Sequence, residues 1–206
     1  MSDFKESFLK NNDIINNELK KIIDNNQYII SLKNTNKCRD IYSLSYLINK
    51  KISHSDCIRL GISIENILLD IILHYTSLTI CQFNKKKSKK EKGHLFIDEK
   101  NKIIYYIDIK SSLMLDSEKT IAIINKYHQI EHNLKLNYEK YDIKMFLLCL
   151  RYFDKSNIPL IIKRKYFQIE NSLLGVNDYL DILQSKYLFN NEMDYINFLN
   201  YISDFF

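Results

Sequence analysis

The alternation of apolar and polar positions predicts helices around a β-hairpin and a buried strand. From about Ser55 to Leu73 apolar residues recur at helical spacing and form one wide stripe. Two apolar runs on either side of a polar turn at 98–102 predict a β-hairpin. Residues 117–138 again have helical spacing, and the nearly continuous apolar run 144–153 is typical of a strand buried on both faces.

The end of the chain completes a mixed pattern. Residues 176–186 and 191–205 have helical spacing, so the order is helix, hairpin, helix, strand and helices. Such an order predicts an α/β protein in which helices flank a mixed central sheet. A chain of 206 residues has the length of one domain, so we expect residues 1–206 to form a single domain.

Composition and charge narrow the classes of function. The chain has 3 Gly and 1 Pro, and it contains none of the glycine-rich phosphate loops of common nucleotide-binding folds. Its formal net charge is +5, which permits a polyanionic partner without requiring one. No apolar run has the length of a membrane span, and the first residues do not form a signal peptide or a lipidation motif. We therefore expect a cytoplasmic protein without a membrane partner.

Candidate chemistry lies at the end of the second hairpin strand. Asp108 and Lys110 are two residues apart on this strand, so they share a face, while Ile107 and Ile109 take the other. A carboxylate beside a lysine can hold Mg²⁺ and orient or deprotonate a water molecule. The same pair also fits a surface ion pair at a fraying strand end, and the tripeptide alone does not separate the two interpretations.

Hairpin geometry predicts which side chains can reach Asp108. If the turn centres on Lys100, Asp108 pairs with Lys92 or Gly93, and Asp98 lies near Ile103. At about 3.4 Å per residue, Asp98 is then roughly 17 Å along the strand from Asp108. The side chains within reach are those of Glu91 and His94.

Glu65 is a candidate for a second acid. It lies within the apolar stretch of the helix that precedes the hairpin, next in phase to Ile64 and Leu68. A glutamate at the edge of a buried stripe is costly unless it has a partner. It is either an acid of the same site or a helix-surface carboxylate that pairs with nearby lysines.

The order of these motifs resembles a known family. The chain has R-x-G-x-x-x-E at 59–65, and a lysine-rich loop follows. After the loop come H-L-F-I-D at 94–98, I-I-Y-Y-I-D-I-K-S-S at 103–112 and L-x-L-D-S-E-K-T at 113–120. This set resembles type II restriction endonucleases of the PD-(D/E)xK nuclease superfamily. N-I-P at 157–159 and L-G-V-N-D-Y-L at 174–180 are similar to the C-terminal region of such enzymes. The resemblance covers about residues 55–185, with helical segments on both sides of this core.

The resemblance implies a restriction-endonuclease-like fold and Mg²⁺-dependent hydrolysis of double-stranded DNA with 5′-phosphate ends. Asp108 and Lys110 match the (D/E)xK pair, and Glu65 matches the helix carboxylate of many members. The implied ligands of Mg²⁺ are Asp108, Glu65 and the backbone carbonyl of Ile109, while Lys110 orients the attacking water. Such enzymes usually act as homodimers on palindromic DNA, and a cognate DNA methyltransferase is a possible partner.

One position departs from the family pattern. The family has an aspartate where the first hairpin strand opens, and this chain has Gly93 there. Three explanations stay open: Glu91 or His94 takes its place, Glu65 and Asp108 suffice, or the chain is inactive.

DNA contacts are expected beside this site. The lysine-rich loop contributes Lys86, Lys87, Lys89 and Lys90, while Ser111, Ser112 and Lys119 follow the catalytic motif. A solvated loop and helix capping are the alternatives for these residues. The leading hypothesis is a type II site-specific endonuclease. The alternatives are a repair or junction nuclease of the same superfamily and a catalytically impaired nuclease fold that binds DNA.

Overall fold

The chain is an α/β protein whose five-stranded mixed sheet is flanked by helices. The computed structural model describes residues 44–48, 52–81, 93–186 and 188–204. Predictions for the first 43 residues and for the lysine-rich loop lie outside these ranges.

The five strands lie side by side in their order along the chain. Strands β1, β2 and β3 are joined antiparallel, whereas β4 runs parallel to both β3 and β5. The strands span β1 Thr79–Ile80, β2 Gly93–Asp98, β3 Ile103–Lys110, β4 Asp142–Cys149 and β5 Leu173–Leu174. The long strands β3 and β4 therefore lie inside the sheet, as the apolar runs predict.

The hairpin of β2 and β3 has the predicted register. Gly93 is the partner of Asp108, and Asp98 is the partner of Ile103. Lys102 in the turn has a φ of 55°, which lets the chain reverse within four residues. The two alternatives for the partner of Asp108 are thus resolved in favour of Gly93.

Two long helices cover the sheet. Helix α1 spans His54–Tyr75, and its N-cap is Ser53, whose hydroxyl accepts a hydrogen bond from the Asp56 amide. The expected start at Ser55 is therefore late by about two residues, because Ser55 lies within the first turn. Helix α2 spans Ser117–Asn137, and Asp116 caps it by accepting from the Lys119 amide, which confirms a predicted helix start.

Shorter helices complete the chain after β4. Helix α3 spans Leu160–Lys165 behind Pro159, α4 spans Val176–Ile182 and α5 spans Glu192–Ser203. Single turns of 3-10 helix lie at Leu44–Tyr46 and Lys155–Asn157, and a longer 3-10 segment lies at Phe167–Ser172.

The sheet separates two apolar cores. One core joins α1, α4 and α5 to the face of the sheet that carries Phe96, Ile107 and Ile109. The other joins α2 and α3 to the face that carries Leu95, Ile104 and Tyr106. Among the described helices, none is both long and apolar enough to cross a membrane.

Candidate active site

Asp108 and Lys110 form an ion pair at the end of β3. Both side chains belong to the face that carries Tyr106, because residues alternate between the two faces of a strand. Lys110 Nζ donates a hydrogen bond to Asp108 Oδ1 over 2.8 Å. The Asp108 side chain is only 7% exposed, whereas that of Lys110 is 31% exposed. The predicted pair is therefore a partly buried ion pair at the rim of the core.

The ammonium group of Lys110 also meets a backbone oxygen. Its Nζ lies 3.3 Å from the carbonyl oxygen of Ile109, within hydrogen-bonding distance. The Lys110 ammonium group thus lies within hydrogen-bonding distance of both the Asp108 carboxylate and the Ile109 carbonyl. These are two of the three oxygen ligands that the resemblance implies for Mg²⁺. Their convergence on one ammonium group shows that both can face the same cation.

A second lysine approaches Asp108 from helix α2. Lys126 Nζ lies 3.9 Å from Asp108 Oδ1, and its side chain is 32% exposed. The sequence interpretation did not include Lys126. A signal was present, because Lys126 follows Ile123 by three residues and precedes Ile130 by four, and therefore lies at the edge of the apolar side of α2.

Gly93 lies directly across from Asp108, and Tyr106 covers it. A Cβ atom at position 93 would lie 2.9 Å from three atoms at the tip of the Tyr106 ring. Real Cβ contacts are longer, so a side chain at this position requires the ring to move. The position where the family has an aspartate is thus in register with Asp108, and the ring of Tyr106 leans over it.

Glu65 and His94 lie on the other face of the sheet. His94 is buried, and its Nδ1 is 2.9 Å from the hydroxyl of Tyr179 on α4. Burial lowers the pKa of His94 to about 4. Burial also raises the pKa of Tyr179 well above its usual value, with a further contribution from the negative charge of Glu65. The structure therefore places His94 and Tyr179 on the side of the sheet opposite Asp108, and the charge of Glu65 acts on Tyr179 from α1.

This grouping narrows the explanations for Gly93. His94 binds Tyr179 and does not face Asp108, so it does not take the place of an aspartate at position 93. A role of Glu65 in the site stays a prediction. Helix α1 does come close to the end of β3, because a Cβ atom at Gly61 would lie 2.6 Å from Ser111 Oγ. Glu65 lies about one helical turn beyond Gly61.

The other predicted DNA contacts have mixed outcomes. Ser111 packs against Gly61, and Ser112 Oγ accepts a hydrogen bond from the Met114 amide. Lys119 forms an exposed ion pair with Asp116 in the first turn of α2. Lys86, Lys87, Lys89 and Lys90 lie outside the described residues, as does Glu91.

Two of the oxygen donors expected for Mg²⁺ lie at this site. Mg²⁺ at phosphate-transferring sites binds one or two carboxylates, keeps several waters and takes oxygens from the substrate phosphate. The convergence of Asp108 and the Ile109 carbonyl on a single positive group fits this donor set. Within the described residues there is no group of three His, Cys, Asp or Glu side chains placed to hold a metal ion. The site therefore supplies one carboxylate and one carbonyl from the strand itself.

A separate cavity of about 540 Å³ lies at the opposite end of the sheet. Its lining includes Asp98 and Tyr105 near the hairpin turn, and His74 and Lys186 from beyond the sheet. Asp98 pairs with Ile103 at the far end of the hairpin from Asp108. The candidate site is therefore the partly buried end of β3 and not this cavity.

Comparison with protein-family models, with curated proteins and with solved structures finds no match for the chain.

Proposed function

We propose that the chain is a Mg²⁺-dependent nuclease that hydrolyses phosphodiester bonds of double-stranded DNA, of the type II restriction kind. One observation carries the proposal: Asp108 and the Ile109 carbonyl converge on the ammonium group of Lys110, directly across the hairpin from Gly93. This arrangement joins the acid, the lysine and the expected first-acid position on one face of two neighbouring strands. The resemblance of the motifs to PD-(D/E)xK enzymes supplies the substrate class.

Each residue then has a distinct role. Asp108 and the Ile109 carbonyl would hold Mg²⁺, and the bound ion would supply a polarised phosphate and an acidified water. Lys110 would orient the attacking water and offset the negative charge that develops on the phosphate. The Asp108 side chain is only 7% exposed, so its carboxylate is held in one position. Glu65, on the other side of the sheet, remains a candidate for a further acid.

The proposal includes an assembly and partners. A palindromic duplex presents two symmetric phosphates, so we expect a two-fold homodimer on DNA. The lysine-rich loop at 85–92 immediately precedes β2, so its lysines are the expected contacts to the phosphate backbone. A DNA methyltransferase of matching specificity would be the partner of such an enzyme.

The decisive experiment is cleavage of supercoiled plasmid DNA in the presence of Mg²⁺. We expect discrete fragments from the unmodified chain and no fragments from D108N or K110M. The matched control is K135M, because Lys135 lies in the last turn of α2 and pairs with Glu131 away from the site. Cleavage by D108N or K110M at the rate of the unmodified chain would refute the proposal. Cleavage of branched DNA without cleavage of plasmid would instead support a junction nuclease.

A second candidate function is DNA binding without cleavage, and Gly93 is the observation that favours it. The strand position across from Asp108 has no carboxylate, and the Tyr106 ring leans over it. G93D tests this candidate directly, with G93N as the uncharged control of similar size. Under this candidate, the unmodified chain retards DNA without cutting it, and G93D gains cleavage that G93N lacks. If the unmodified chain does not bind DNA, both candidate functions are excluded.

A further inference from the structure

We propose that Lys126 is a phosphate-binding residue of the candidate site, placed on helix α2 to hold the DNA phosphate next to Asp108. The inference rests on the proposed function and adds a residue that is absent from the D-x-K motif. Lys126 approaches Asp108 Oδ1 to 3.9 Å from a different element of the fold than Lys110. The carboxylate therefore lies between one lysine of the strand and one lysine of the helix.

Lys126 lies at the edge of the buried side of α2. Its neighbours one turn away, Ile123 and Ile130, pack into the core between α2 and the sheet. Lys126 is only about one-third exposed, whereas Asn125 and His128 on the outer side of the helix are exposed. A partly buried ammonium group costs free energy unless it has an anionic partner.

Helix α2 is anchored to the sheet next to Lys126. Tyr127, the next residue, donates a hydrogen bond from its hydroxyl to the Met145 carbonyl of β4 over 2.7 Å. Its hydroxyl also lies 2.6 Å from Ser172 Oγ. These contacts fix the position of the α2 backbone from which Lys126 reaches Asp108, and a site on a fixed helix is more precise than one on a loop.

The charges around Asp108 leave a positive surplus. Among the residues that the structure describes, Asp108 is the acid within 4.0 Å of Lys110 and of Lys126. Lys110 donates a hydrogen bond to Asp108 Oδ1, while 3.9 Å is too long for a hydrogen bond from Lys126. Within the described part of the chain, Lys126 therefore contributes charge near Asp108, and its donors can serve another acceptor. One carboxylate and two ammonium groups give a local charge of about +1.

A DNA phosphate has the chemistry to complete this arrangement. It carries one negative charge and two non-bridging oxygens, so it can accept from Lys126 while it neutralises the surplus. In the proposed function the phosphate lies beside Asp108. It is then within reach of Lys126, whose ammonium group lies 3.9 Å from the Asp108 carboxylate.

The test is DNA binding measured by fluorescence anisotropy, with a labelled duplex, in EDTA and over a series of salt concentrations. The variants are K126M, K126Q and K126R, with K135M as the matched control on the same helix. We expect K126M and K126Q to weaken binding about tenfold and to reduce the salt slope by about 0.9, the value of one lost phosphate contact. K126R should stay within about threefold of the unmodified chain, because it keeps the charge.

The outcomes separate this inference from the proposed function. If the unmodified chain binds DNA and K126M and K126Q bind it with the same affinity and salt slope, Lys126 is not a phosphate-binding residue. That result would leave the proposed function untouched. No binding of duplex DNA by the unmodified chain overturns both. Circular dichroism and urea unfolding establish that each variant is folded, and K126Q replaces K126M if the latter does not fold. Equal weakening by K135M would also overturn the inference, since it would show a nonspecific effect of charge.

Discussion

Two successive residue pairs of the hairpin place a titratable group on opposite faces of the sheet, Asp108 on one face and His94 on the other. On one face, Gly93 and Asp108 are partners, and Asp108 lies between two ammonium groups. On the other face, His94 is the partner of Ile107 and is buried against Tyr179. Burial without a charged partner makes the histidine hard to protonate. The comparison shows that one face keeps charge at the rim of its core, while the other keeps a neutral hydrogen-bonded pair inside.

This difference suggests a division of tasks between the faces. The face toward α1 carries the fully buried side chains of Phe96 and Ile107, which contribute chiefly to stability. The face toward α2 has a buried core of its own, which ends at the charged side chains of Asp108 and Lys110. Changes in either core should therefore alter unfolding, and under the proposed function changes at this charged end should alter DNA binding or cleavage.

The largest effect on stability is expected for F96A. Phe96 is fully buried between β2 and the helices on the α1 side, so the substitution leaves a cavity there. We expect the free energy of unfolding to fall by about 3 to 5 kcal/mol, measured by urea denaturation. The control is I121A on the exposed side of α2, where the change should be small. A loss below about 1 kcal/mol for F96A would contradict the assignment of this face.

The next effect is a pH dependence caused by His94. The pKa of His94 is about 4 in the folded chain and near its ordinary value of 6.5 when unfolded. Between these values the unfolded chain binds a proton that the folded chain does not, so stability is complete above pH 6.5 and falls as the pH drops toward 4. The full difference corresponds to about 3 kcal/mol.

H94Q separates this contribution from that of the carboxylates. Urea denaturation of both proteins at several values between pH 7 and pH 4 gives the difference in their unfolding free energies. Tyr179 is the hydrogen-bond partner of His94 on this side, and the charge of Glu65 acts on Tyr179. Both residues are retained in H94Q. A difference that stays constant over this pH range would show that His94 is not the titrating group.

A smaller effect is expected for G93A on the other face. The added Cβ would lie 2.9 Å from the tip of the Tyr106 ring, so the ring must shift. We expect a loss of about 1 to 3 kcal/mol in unfolding free energy. A double-mutant cycle with Y106L measures the coupling, because the shorter side chain removes the contact. If G93A costs the same with Tyr106 and with Leu at position 106, the close contact is not its cause.

The smallest change in stability is expected for K110M. Lys110 is about one-third exposed, and Lys126 remains near Asp108 in this variant. Ion pairs of this exposure contribute about 1 kcal/mol or less, so the urea midpoint should hardly move. The double variant K110M/K126M should cost more than the sum of the two single variants, because it removes both lysines from a nearly buried carboxylate. If the losses of unfolding free energy in the two single variants simply add, Lys110 and Lys126 do not share Asp108 as a partner.

Local geometry could be predicted well because it depends on neighbouring residues. The alternation of side chains has a period of two, so Asp108 and Lys110 had to share one face. The polar turn limited the register to two choices, and Gly93 as the partner of Asp108 was one of them. Helix α2 begins at Ser117, as predicted, behind its cap Asp116. The start of α1 was expected near Ser55, slightly late, because S-H-S-D contains two serines and the first of them is the cap.

The sequence by itself thus determined the order of the main helices and strands, the hairpin register to within one residue and the shared face of Asp108 and Lys110. Only the tertiary structure decided which helix covers each face of the sheet. Helix α2 connects the parallel strands β3 and β4, and the handedness of this connection carries it to one face, so Lys126 reaches Asp108. Glu65 lies beside Tyr179 on the α1 side of the sheet. The physical reason is that side-chain alternation is a local property of the backbone, whereas the placement of helices depends on packing between residues far apart in the chain.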